Sequence, residues 1–167
     1  MKNLWSLKAS EISKLYLSNE ISLDEIIDAV EERFNQVNPK INAIPEATFE
    51  YARKQAKLLD NNKKNNKPLG CLAGVPVTIK INTDQSGYAS TNGLRLNKSL
   101  IAHKNSTIVD NLERAGALIV GRTNTPAFSI RWFTNNSLHG HTFNPHNKNI
   151  TPGGSSGGAA SATASGI

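Results

Sequence analysis

Lys80 closes a run of uncharged, largely β-branched residues, Val75-Pro76-Val77-Thr78-Ile79. A lysine at the end of a buried strand loses part of its hydration, and desolvation lowers an amine's pKa. An amine that is neutral near pH 7 can act as a general base. The alternative is an ordinary strand-end lysine whose ammonium reaches water along an apolar surface. Taken alone, Lys80 fits the alternative better. The segment Thr151-Pro152-Gly153-Gly154-Ser155-Ser156-Gly157-Gly158 changes that balance. Four glycines and a proline within eight residues exclude the interior of a regular helix or strand. Two adjacent serines among glycines place hydroxyls beside exposed backbone N–H groups. Acyl transfer needs both, a hydroxyl to move a proton and amides to hold an oxyanion. An anion-binding or purely structural turn would use the same residues. Lysine and loop together suggest a serine–lysine hydrolase that works without histidine, one of the variants of triad logic.

Other residues with chemical potential fit bland roles better. Gly116 to Thr123 has the outline of a phosphate-binding loop, with Arg122 where that loop has lysine. Its four intervening residues are strand formers, so phosphate binding is not expected. His139-Gly140-His141 has no carboxylate or thiolate beside it to complete a metal site. No metal and no organic cofactor are expected. Cys71 is the single cysteine, which rules out an internal disulfide and points to a reducing, cytoplasmic setting. With no motif around it, a small buried apolar role is expected for Cys71. The net charge of +6 invites nucleic acid as a partner. Its densest run, Asn61 to Lys67, has no aromatic residue to stack on bases and reads as a solvated linker. Met1 to Lys8 has no apolar leader, and no stretch approaches the roughly 18 apolar residues of a membrane span.

The elements that must position Lys80 and Ser155 follow from periodicity. A helix over 8–17 precedes a second one opened by the capping box Ser22-Leu23-Asp24-Glu25. Ile26, Ile27, Val30, Phe34 and Val37 continue it at helical spacing, and Asn38-Pro39 is expected to stop it. A third helix is expected over 46–59, with Phe49, Ala52, Ala56 and Leu59 on one face. Residues 1–60 thus read as a helical arm, and 68–167 as the start of an α/β core. Within that core, 75–79 and 117–120 are buried strands. A helix over 107–114, capped by Asn105 or Ser106 and ended at Gly116, joins them. Thr125-Pro126 should open a further helix as N-cap and N1. Ala159 to Ser165 is a helix of small side chains made for tight burial. Such a helix is not expected to end a domain, so the chain reads as cut short.

At these residues the chain resembles the amidase-signature family. Leu72 to Lys80 is similar to the family's catalytic-lysine segment, and Ala115 to Pro126 to the strand and loop that follow it. Asn144-Pro145 and Thr151 to Gly158 resemble its serine- and glycine-rich signature. The resemblance implies an α/β fold, a mostly parallel mixed sheet flanked by helices with an N-terminal helical arm. It implies an amide hydrolase with a Ser–Ser–Lys triad, in which Lys80 is the lysine and Ser155 the bridging serine, held by a cis peptide bond after Gly154. Gly153, Gly154, Ser156, Asn124 and Thr125 would support the loop or line the substrate.

The family's nucleophile lies in a Gly-Thr-Asp-x-Gly-Gly-Ser stretch that residues 1–167 do not contain. The 167 residues are therefore expected to be the N-terminal part of one amidase domain, poorly stable and without turnover alone. The partner expected is a small-molecule amide, with no nucleic acid and no membrane, and a homodimer is compatible with this. Two alternatives remain. One is the A subunit of a glutamyl-tRNA amidotransferase, which needs tRNA; the other is a truncated pseudoenzyme. Asn82 near Lys80, and Thr125-Pro126-Ala127-Phe128 in place of the amidotransferase's Met-Asp-Glu-Phe, favour a stand-alone amidase.

Overall fold

A computed structural model describes residues 3–167; Met1 and Lys2, the start of the segment expected to lack a leader, lie outside it. Helix α1 spans Ala9–Leu17 and α2 spans Leu23–Ile41. The capping box forms, with the Glu25 N–H on Ser22 Oγ and the Ser22 N–H on the Glu25 carboxylate. Pro39 does not stop α2, which runs one more half-turn to Ile41. Proline removes one donor, but the end is secured elsewhere. Asn42 takes the left-handed conformation at φ 49°, and Asn38 Oδ1 accepts from the N–H groups of Ala43 and Ile44. Helix α3 starts at Phe49 rather than 46 and continues to Lys64, into the run read as a linker. The expected apolar face is present, since Phe49, Ala52, Ala56 and Leu59 are all buried.

Glu46–Ala47 is a short strand, β1, so the first sixty residues are not purely helical. Strand β2 spans Pro76–Lys80 and β3 spans Leu118–Thr123. They pair in parallel, and β1 pairs antiparallel on the other side of β3. The α/β architecture with a mixed sheet is thus present. Helix α4, Thr107–Arg114, connects β2 to β3, capped by Ser106 and followed by Gly116 at φ 85°. An ideal Cβ on Gly116 would lie 2.9 Å from Ala73 Cα, so glycine is required for conformation and space.

The arm is fastened to the central strand by polar side chains as well as by packing. Register slips by one residue between Val77 and Thr78, leaving Val120 as a bulge in β3. The groups freed there are taken by the arm. Thr48 donates through Oγ1 to the Ile119 carbonyl and through its N–H to the Val120 carbonyl. Gln55 Oε1 accepts the Ile119 N–H at 2.8 Å. Around them Ile12, Ile26, Ile27, Val30, Phe49, Leu118 and Val120 form one core. Cys71 is exposed, contrary to expectation, because the turn that carries it buries Ala73 in its place. No helix among the described residues is long and apolar enough to cross a membrane.

Candidate active site

Strand β2 delivers Lys80 opposite Thr123 at the C-terminal edge of the sheet. Its half-buried side chain lies against the glycine-rich loop. Lys80 Nζ is 2.7 Å from Ser155 Oγ and 3.2 Å from Ser156 Oγ. Burial holds the Lys80 amine below the ordinary lysine range. No carboxylate of the described residues pairs with it to offset that effect. As an ammonium Lys80 donates to Ser155 Oγ; as a neutral amine its lone pair accepts the Ser155 hydroxyl proton. The geometry therefore allows a proton to pass along the contact in either direction.

The loop that presents Ser155 is held from behind. Its Gly154–Ser155 peptide bond is cis. Helix α5, Gly157–Ser165, starts directly after it. Thr134 clamps both ends of the turn, donating to the Gly153 carbonyl at 3.1 Å and accepting the Gly157 N–H at 3.0 Å. A Cβ on Gly154 would stand 2.6 Å from the Arg131 carbonyl oxygen and the Phe133 nitrogen. On Gly158 it would meet the backbone N and O of Asn124 at 2.5 Å. Backbone atoms cannot swing aside, so Gly158→Ala is expected to destabilise the fold by about 1–3 kcal/mol, read as a lower urea midpoint. Gly166 at φ 77° caps the end of α5. Arg33 Nε adds a bond to the Ser165 carbonyl there.

Asn124 is fully buried and works as a junction. Its N–H donates to the Ala43 carbonyl, and Oδ1 accepts from the Thr125 N–H and Asn136 Nδ2. Nδ2 reaches the Gly140 carbonyl and Thr142 Oγ1. The hairpin of β4, Asn135–Asn136, and β5, Gly140–His141, is tied to β3 in this way. Thr125 sits closer to Ser155. Its Oγ1 is 3.2 Å from the Ser155 carbonyl oxygen and 2.8 Å from Ser129 Oγ.

The helix expected from Thr125-Pro126 does not form; only a 3-10 turn, Ala127–Ser129, follows. Phe128 and Ser129 sit at φ 59° and 58°, where a right-handed helix cannot continue. Polar bonds replace the helix. The Phe128 N–H donates to the Asn92 carbonyl, Ser129 Oγ donates to Asn92 Oδ1, and Asn82 Nδ2 donates to Ser129 Oγ. Nothing in the sequence marks Thr134, Ser129, Asn92 or Asn136 for these roles. Each works through a partner distant in the chain, and isolated Asn, Ser and Thr carry no spacing signal. His139 and His141 lie at the hairpin, and burial pushes the His139 imidazole below its ordinary range.

The amidase family model matches residues 25–167. The chain belongs to the amidase-signature family. Among curated relatives, the indoleacetamide hydrolase of Bradyrhizobium diazoefficiens is 44% identical over 164 residues, covering 98% of this chain and 31% of that protein. The A subunit of the glutamyl-tRNA(Gln) amidotransferase of Fusobacterium nucleatum is 38% identical over 162 residues, covering 97% and 33%. Among solved structures, a bacterial aryl acylamidase of the amidase-signature enzymes superposes with a TM-score of 0.88 at 33% identity, covering 93% of this chain and 33% of the other. The chain thus spans about a third of the length of these amidase-signature relatives.

Proposed function

We propose that this chain is the N-terminal part of a single amidase domain and supplies the base and proton relay of an amide hydrolase. The observation that carries this reading is the 2.7 Å contact between Lys80 Nζ, desolvated and without a counter-carboxylate, and Ser155 Oγ. Neutral Lys80 takes the Ser155 proton as Ser155 takes the proton of a nucleophilic serine. That serine attacks the amide carbonyl and forms an acyl-enzyme. Protonation of the leaving nitrogen releases ammonia or an amine, and water then hydrolyses the ester. The nucleophile is assigned to a segment outside the 167 residues. The names of the hydrolase and acylamidase relatives support a small amide as substrate. The lone Cys71 supports a reducing, cytoplasmic setting.

The test is a chimera in which these residues replace the matching third of the Bradyrhizobium indoleacetamide hydrolase. Ammonia release from indole-3-acetamide is expected from the chimera and not from the 167-residue chain alone. A soluble, folded chimera without turnover would defeat the reading. The Fusobacterium relative supports a second reading, part of an amidotransferase. It is favoured instead if the chimera releases ammonia from glutamine and not from indole-3-acetamide. Because only the unprotonated amine can accept a proton, the chimera's rate is expected to rise with pH on its acidic limb. The midpoint should fall below 10.5, the ordinary lysine value, since burial lowers the Lys80 pKa.

A further inference from the structure

We infer that Arg122 is a positioning residue for Lys80, holding the Lys80–Thr83 turn against β3 so that the amine stays on Ser155. Arg122 neighbours Ile79 in the parallel register and its side chain is fully buried. Nη1 donates to the Glu46 carboxylate at 2.9 Å and to the Ala89 carbonyl at 3.0 Å. Nη2 donates to the carbonyls of Thr83 at 3.1 Å and Ile81 at 3.4 Å. Two of these acceptors belong to the turn that Lys80 begins, where the Thr83 N–H donates to the Lys80 carbonyl. Ile81 is fastened on both sides, its N–H by the Thr123 carbonyl and its own carbonyl by Arg122. The Tyr88 ring, 5.5 Å from the guanidinium carbon, closes the space.

A planar guanidinium can serve Glu46 on one side and the turn on the other at once. A single ammonium reaches fewer acceptors from one point. A slackened turn would let Lys80 leave Ser155 and regain water, which raises an amine's pKa. The inference rests on reading Lys80 as the base and adds a residue that controls it from the far side of the strand.

The test uses the indoleacetamide hydrolase chimera with 13C-labelled lysine, titrating the Lys80 Cε signal by NMR. Arg122→Lys keeps the positive charge, so any change reports geometry rather than lost repulsion. The expected result is a Lys80 pKa raised by about half a unit or more. An unmoved Lys80 in a folded but less stable variant would make Arg122 scaffold alone and overturn the inference. A wild-type Lys80 titrating at its ordinary value would instead sink the base reading. Should Arg122→Lys not fold, hydrogen exchange of the wild type decides. The Thr83 N–H is expected to be protected like the β3 amides, and exchange as fast as at exposed Asn82 overturns the proposal.

Discussion

Exchanging Lys80 for methionine in the indoleacetamide hydrolase chimera is expected to lower kcat by about 10²–10⁴-fold, the usual worth of a positioned general base. Methionine keeps much of the stem's apolar packing and removes the only group among the described residues placed to take the Ser155 proton. Stability should move the other way. The folded chain holds the Lys80 pKa below its unfolded value, so between those two values the unfolded state binds more protons. Stability is therefore fullest above the unfolded pKa and declines as pH falls through the folded one. Methionine, which cannot be protonated, escapes that penalty. Chemical denaturation at neutral pH should show Lys80→Met at least as stable as wild type. A large loss of stability accompanying the loss of rate would mean that Lys80 is a structural residue.

Arg122→Met is expected to cost about 3–5 kcal/mol of folding stability, as removal of one partner from a buried ion pair does. Burial pushes the Glu46 carboxyl up and pulls the Arg122 guanidinium down, so each charge loses more hydration than its partner restores. The pair is costly to bury and more costly to halve. Methionine would leave Glu46 and the carbonyls of Ala89, Ile81 and Thr83 without their donor. Arg53 supplies the contrast. It bridges Asp24, Asp28 and Glu31 on the α2–α3 surface, and its acidic partners are well exposed. Arg53→Met should cost less than about 1 kcal/mol. Urea denaturation of both variants reads the difference, and equal costs would contradict the picture of a desolvated Arg122.

What could be read in the sequence was whatever short-range chemistry dictates. The Ser22 capping box needs only residues three apart, and the 107–114 helix needs a cap, an apolar face and a terminal glycine. Lys80 and the Gly153–Gly158 loop stood out because their residue types are unusual for a strand end and a turn. Long-range bonds made the rest illegible. Pro39 is tolerated because the Asn38 side chain binds Ala43 and Ile44 beyond it. Glu46–Ala47 is strand because β3 offers an edge seventy-odd residues later. Thr125-Pro126 has the sequence of a helix start, yet Asn92 holds Phe128 and Ser129 in the left-handed region. Arg122 matched a phosphate-loop outline, and only the fold reveals it as the clamp beneath Lys80.

The most direct test of the Lys80–Ser155 pair is the titration of the Lys80 amine in the chimera carrying the wild-type residues beside its Ser155→Ala variant. A Lys80 pKa clearly below 10.5 is expected in both proteins, since burial and not the serine sets its direction. The wild-type titration should in addition shift the Ser155 Cβ resonance, because Ser155 Oγ lies 2.7 Å from the amine. A Lys80 that titrates at or above 10.5, with Ser155 indifferent to it, would contradict the proton relay.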